Sequence, residues 1–175
     1  MDAALQENWR SEADVEDALA AFLEASGFFR VFRQVMGRSL VSICGTGGRV
    51  RADILLLATR QAIDAGWREG PILFEVKWGG KPIGPAVSQM LDYLDCAWML
   101  PNGVEVLAGF GFLFPVPKQY GPLASVRAQN RVGTATLEAG ELNCYCGEQR
   151  VLTVWEAGAM RVANLGIGRK FGSRS

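Results

Sequence analysis

Apolar positions recur at helical spacing near the start of the chain and at strand spacing over much of the rest. Val15, Ala18, Leu19, Phe22 and Ser26 fall on one face of a 3.6-residue helix. Ser11 is suited to cap that helix, with Asp14 at the N3 position, and Gly27 to stop it. Phe28–Val35, rich in Phe and Val, predicts a strand, and Leu40–Cys44 another, followed by the turn Gly45–Gly48. Val50–Ala58 begins as an alternation and ends as a continuous apolar run, the mark of a strand buried on both faces. A largely polar connection, 59–70, leads through Pro71 into a strand over Ile72–Trp78. A Gly/Pro-rich passage, 79–85, precedes a second helix, Ala86–Leu100, ended by Pro101-Asn102-Gly103. Val104–Phe114 predicts a further buried strand. Beyond it, Val151–Glu156 carries a strand pattern and Gly166–Ser175 reads as a loose tail.

Helix, strands, helix, strand is the order of an α/β domain, a mixed central sheet flanked by helices. At 175 residues, with neither an internal repeat nor a low-complexity linker, one domain over 1–175 is expected, with a core at about 11–116 and an extension over 117–175. The longest nearly unbroken apolar stretch, Val106–Val116, is 11 residues, too short to cross a membrane. The acidic N-terminus lacks the apolar stretch of a signal peptide, so a soluble cytoplasmic protein is expected. The glycines sit at turns rather than between a first strand and its helix. A Rossmann fingerprint is therefore not supported, a P-loop lacks its Gly-Lys-Ser/Thr, and no nucleotide cofactor is expected.

The chain has no histidine, which excludes a Ser-His-Asp triad, a Cys-His pair, His-ligated zinc and an imidazole base. Chemistry must come from carboxylates, Lys, Tyr, Ser or Cys. Cys44, Cys96, Cys144 and Cys146 lack zinc-ribbon spacing and read as buried thiols of a reducing compartment. Net charge is zero, but its distribution is uneven. Residues 1–26 hold seven acids and one base, while 27–60 hold six arginines and one acid, Asp53. Residues 157–175 carry four bases and no acid. Such asymmetry makes either a basic face or an ordinary solvated surface.

The informative residues are Asp53 on one strand and Glu75-Val76-Lys77 on the next. Alternation turns Ile72, Phe74 and Val76 one way and Leu73, Glu75 and Lys77 the other, and it puts Arg51, Asp53 and Leu55 on one face. If the strands pair, Asp53 and Glu75 come within reach of one divalent cation, and carboxylate oxygens suit Mg²⁺ or Mn²⁺. The plain alternative is a partly exposed face bearing a Glu–Lys salt bridge. In the first helix Glu12 and Glu16 border the apolar face, and in the second Gln89 and Tyr93 stand one turn apart.

Taken together, these residues resemble the PD-(D/E)XK nuclease superfamily, whose restriction-endonuclease-like core runs helix, three strands, helix, strand. Arg51-Ala52-Asp53 is similar to the family's acidic strand, with Ala52 where the name motif has Pro, and Glu75-Val76-Lys77 to its E-x-K strand. Glu16, eleven residues before Gly27-Phe28, resembles the first-helix acid of archaeal Holliday-junction resolvases. Gln89-Met-Leu-Asp-Tyr93 resembles the Q-x-x-x-Y motif of the RecB-like branch. The resemblance covers about residues 11–116.

It implies a Mg²⁺-dependent deoxyribonuclease of DNA repair, recombination or processing, with Mn²⁺ as a substitute metal. Asp53, Glu75, the Val76 carbonyl and Glu16 would hold the metal, and Lys77 would stabilise developing charge or orient water. Gln89 and Tyr93 would position metal-bound water or a DNA phosphate. Arg30, Arg33, Arg49 and Arg51 become candidate phosphate contacts, each equally readable as a surface cation. The cysteines lack the pattern of the iron–sulphur nucleases, so no cluster is expected. DNA is the expected partner, and a homodimer is allowed, with Trp9, Trp78 and Trp98 either at its surface or packed in the core. The rival readings are a silent module of the same fold that binds DNA or protein without cutting, and an α/β domain with a coincidental E-x-K.

Overall fold

The computed structural model describes residues 9–40, 48–67, 70–77, 82–116 and 131–163. The first helix, α1 (Glu12–Ser26), forms where its spacing predicts. Ser11 Oγ accepts the Asp14 N–H at 3.2 Å, and Asp14 in turn accepts the Arg10 N–H at 2.8 Å. Gly27, at φ = 74°, adopts the left-handed conformation that ends the helix and donates to the Glu24 carbonyl. Val15, Leu19 and Leu23 are fully buried on the inner face, each stabilising the fold by about 1.5–3 kcal/mol.

The strands that follow are β1 (Phe29–Ser39), β2 (Arg49–Ala58), β3 (Ile72–Val76), β4 (Cys96–Met99), β5 (Glu105–Leu107) and β6 (Phe110–Phe114). The C-terminal part adds β7 (Val132–Glu138), β8 (Glu141–Cys146), β9 (Gln149–Trp155) and β10 (Ala159–Val162). Two further helices interrupt them, the short α2 (Arg60–Asp64) and α3 (Ile83–Leu94). All ten strands form one sheet in the order β10-β9-β8-β7-β6-β3-β2-β1-β4-β5. Its β3–β6 and β6–β7 pairs are parallel and the others antiparallel, so the fold is α/β with a mixed, largely antiparallel sheet.

Two cores sandwich this sheet. On one face Val15, Leu19 and Leu23 of α1 pack with Ile54, Leu56, Ile72, Phe74, Phe112 and Val76. On the other, Ala86, Met90 and Tyr93 of α3 pack with Leu55, Leu73, Trp98 and Leu113. The alternation expected along β3 is therefore realised: Ile72, Phe74 and Val76 face α1, and Leu73 faces α3.

Several expectations need correction. The second helix begins at Ile83, not Ala86, because Pro85 lies in the first turn, where a missing N–H breaks no helical hydrogen bond. It ends at Leu94 rather than Leu100, and Cys96–Met99 becomes a strand. An apolar run of that length fits helix or strand, and pairing with β1 decides it: Trp98 packs over Gly37, where a Cβ would lie 2.7 Å from the indole ring. That pairing also extends β1 beyond Val35 to Ser39.

The single strand expected over Val104–Phe114 is two, since β5 pairs with β4 while β6 pairs with β3. The polar connection 59–70 contains α2, capped by Thr59. The strand expected over Leu40–Cys44 and the turn over Gly45–Gly48 lie, except for Leu40 and Gly48, outside the described residues, as do Trp78 and the tail from 166. Trp9 and Trp98 are buried, packed edge-on against Phe114 and Tyr93, so neither offers an exposed aromatic surface.

Candidate active site

The β2–β3 ladder runs through Leu56–Ile72, Leu55–Leu73 and Ile54–Phe74 and stops there. One step further, where Asp53 and Glu75 would pair, a side chain takes over from the backbone. Asp53 Oδ2 accepts the Val76 N–H at 2.8 Å. On the other side of β3, Lys77 donates its N–H to the Phe114 carbonyl of β6 at 2.7 Å. A planar trans peptide directs its C=O opposite to its N–H, so the Val76 carbonyl points to the β2 side, where Asp53 stands.

The neighbouring strand explains why the sheet yields here. Arg33 faces Ile54 and Val35 faces Ala52 in unbroken register, but Gln34, between them and opposite Asp53, has φ = 50°. A non-glycine residue in this region costs about 1–2 kcal/mol. Its consequence is a slip in alternation. Phe32 and Val35 both face the α3-side core, and so do Leu55 and Ala52 across from them. Arg51 is exposed between Val50 and Ala52, which face α3, so it does not share the face of Leu55 as strict alternation predicts. Such outliers cluster where structure is held for function.

Glu75 is 3 % exposed. Its Oε1 accepts from Lys77 Nζ at 2.6 Å, while Oε2 is buried and has no hydrogen-bond partner. Burial first, and then the charge of Asp53, push the Glu75 carboxyl up to about 7, against the pull of Lys77. Burial also raises Asp53, with the Val76 N–H opposing and Glu16 adding. An unsatisfied buried acceptor costs about 1–3 kcal/mol, and more when charged. A hard cation beside Asp53 would satisfy Oε2 and neutralise both carboxylates, so the donor set fits Mg²⁺ or Mn²⁺. Among the described residues no group of three or more acidic, Cys or His side chains forms a metal cage. Two carboxylates and a carbonyl leave positions for water and substrate oxygens, the usual manner of Mg²⁺.

The remaining candidates take distinct places. Glu16 accepts from Arg33 Nε at 3.0 Å and from Gln34 Nε2 at 2.6 Å, so both its oxygens are held by β1. Arg33 also pairs with Asp17. Glu12, one turn before Glu16, acts through its charge on both Asp53 and Glu75. The sequence shows Glu12 beside Glu16 but does not say which is nearer the strands. Gln89 Nε2 donates to Tyr93 Oη at 2.6 Å, and Tyr93 donates to the Arg51 carbonyl at 2.8 Å. That chain ties α3 to β2 two residues from Asp53. Arg49 and Arg51 are exposed on β2 beyond Asp53, whereas Arg30 stands opposite Leu57 toward the other end and lies over the Phe32 ring.

No protein-family model, curated protein or solved structure matches the chain. Among the described residues, no helix is long and apolar enough to cross a membrane. Among the described cysteines none forms a disulfide; Cys96 and Cys144 are buried, as expected, and Cys146 is half-buried.

Proposed function

We propose that this chain is a Mg²⁺-dependent deoxyribonuclease that hydrolyses phosphodiester bonds in DNA repair, recombination or processing. The observation that carries this reading is the orphaned, buried Oε2 of Glu75, set beside Asp53 and with Lys77 on its other oxygen. A salt bridge alone would leave that oxygen without a reason to be there. The order α1, β1, β2, β3, α3, β6, interrupted by the short α2 and by β4 and β5 but with β6 parallel beside β3, supports a restriction-endonuclease-like core.

Asp53, Glu75 and the Val76 carbonyl would hold the metal. When bound, it would polarise the scissile phosphate and lower the pKa of the attacking water. Asp53 is oriented by the Val76 N–H, which fixes its carboxylate at the end of the ladder. Lys77, whose side chain is 21 % exposed, holds Glu75 and would place its ammonium group where a phosphate oxygen gains negative charge. Glu16 and Glu12 add negative charge from α1, and Gln89 and Tyr93 hold β2 in place.

Purified protein with Mg²⁺ or Mn²⁺ should cut end-labelled single-stranded, blunt duplex, flapped or four-way-junction DNA, and not in EDTA. Lys77→Ala should abolish cutting with the circular-dichroism spectrum retained. Metal binding without cutting of any substrate would favour the silent module. Absence of both metal binding and cutting would defeat the reading.

A further inference from the structure

Beyond Asp53, no helix among the described residues packs on one face of the sheet. On β1, Val35 and Gly37 face α3, so Met36 and Arg38 face outward. On β2, Arg49 and Arg51 do the same, and on β5, Glu105 and Leu107. Cross-strand register sorts these side chains into two rows. Arg51 faces Met36, the next step of the β1–β4 register sets Met36 against Met99, and Met99 faces Glu105. In the second row Arg49 faces Arg38, Arg38 faces Ala97 and Ala97 faces Leu107.

Met36, Met99 and Leu107 are 46 %, 45 % and 40 % exposed, an apolar centre that solvent alone does not explain. Arg38 reaches across Ala97 to grip both oxygens of Glu105 at 2.8 Å. Among the described residues three arginines thus share this face, the one away from α3, with one acid, and Arg51 stands two residues before Asp53 on β2.

We propose that this face seats the unpaired strand of a DNA substrate, with phosphates on Arg49, Arg51 and the outer edge of Arg38 and bases over Met36 and Met99. The proposal rests on the nuclease reading, for which it names the substrate class. Charge complementarity selects a polyanion, and the apolar centre selects one with bases free to lie flat. A duplex presents phosphates to a flat sheet and would leave the methionines uncovered. Four strands span about 14 Å, room for a short single-stranded segment.

The test is fluorescence anisotropy of the full chain in EDTA, with labelled oligo-dT and a dA·dT blunt duplex of equal length. Oligo-dT should bind about tenfold more tightly than the duplex. Arg49→Ala/Arg51→Ala should weaken oligo-dT binding and reduce the slope of log affinity against log salt by about 1.4, two phosphate contacts' worth. Met36→Ser should weaken it with the slope unchanged, and both variants should melt like the parent. Asp53→Asn should lose Mg²⁺-dependent cutting and keep oligo-dT binding, which separates the two readings. Equal affinity for the two probes, or an unaltered arginine double variant, would overturn the proposal even if cutting stands. A concentration-dependent dimer abolished by Met36→Glu would give the face to a second copy and overturn it too. Oligo-dT preference in a protein that never cuts would defeat the nuclease reading alone.

Discussion

Asp53 occupies the place of a strand carbonyl: its Oδ2 accepts the Val76 N–H at 2.8 Å where the β2–β3 ladder has run out. The same carboxylate therefore closes the sheet, and its other oxygen is the one the proposed metal would use. Asp53→Ala should leave the Val76 N–H, on a residue 1 % exposed, without its acceptor and destabilise the fold by about 1–3 kcal/mol. Asp53→Asn keeps an oxygen for that bond and should unfold in urea close to the parent, while losing the charge. Equal losses from both substitutions would mean that charge, not the backbone bond, is what the fold uses.

Glu75, although paired with Lys77, should make stability depend on pH in the direction opposite to an acid whose partner lowers its pKa. In the folded chain its carboxyl keeps the proton up to about 7, against 4.5 ordinarily, because it is buried beside Asp53. Between those values the folded state binds more protons than the unfolded one, so stability falls as pH rises through the window. A shift of that size corresponds to about 3 kcal/mol. Asp53, also raised, acts in the same sense. Urea titrations between about pH 5 and pH 8 should show the decline in the parent and a flatter profile in Glu75→Gln. Parallel profiles would take Glu75 out of the account.

Divalent metal should reverse that decline. A cation that satisfies Glu75 Oε2 binds the folded state alone and stabilises it by about 2.7 kcal/mol at a hundred times its Kd. Protons compete for the same oxygens, so the rise in Tm with Mg²⁺ or Mn²⁺ should be larger above about pH 7 than near pH 5. Asp53→Asn and Glu75→Gln should each remove it. An equal rise in either variant would place the metal elsewhere.

Some of this was legible in the sequence and some was not, for physical reasons. Ser11, Asp14 and Gly27 announce α1 because capping is local chemistry, and the period of two in Ile72–Val76 assigns β3 its faces directly. The slip at Gln34 leaves no local trace, since no residue preference marks a positive φ at a glutamine, and with it went the expected face of Arg51. The four C-terminal strands, of which only β9 was anticipated, did leave a trace. Ala139-Gly140, at φ = 49° and 74°, is a two-residue hairpin turn closing Glu138 on Glu141, and Gly147 and Gly158 mark the next two. Val132–Leu137 hid its strand because small residues and threonines alternate there, and their apolar contrast is weak.

The seam between that meander and the core gives the last prediction. A Cβ on Gly133 of β7 would collide with the Tyr145 carbonyl of β8 and lie 2.7 Å from the Phe112 ring. The carbonyl is ladder backbone, and Phe112 is locked against Phe74 at 5.3 Å, so neither can retreat cheaply. Gly111, next to Phe112 on β6, would meet the thioether of Met90 instead, a side chain that can change rotamer. Gly133→Ala should therefore cost at least the 1–3 kcal/mol typical of overpacking, and Gly111→Ala less. Urea unfolding of the two variants checks the order. If Gly133→Ala is the milder, the meander does not sit on β6 as closely as described, and the support that β6 gives Glu75 and Lys77 from behind is looser than this packing implies.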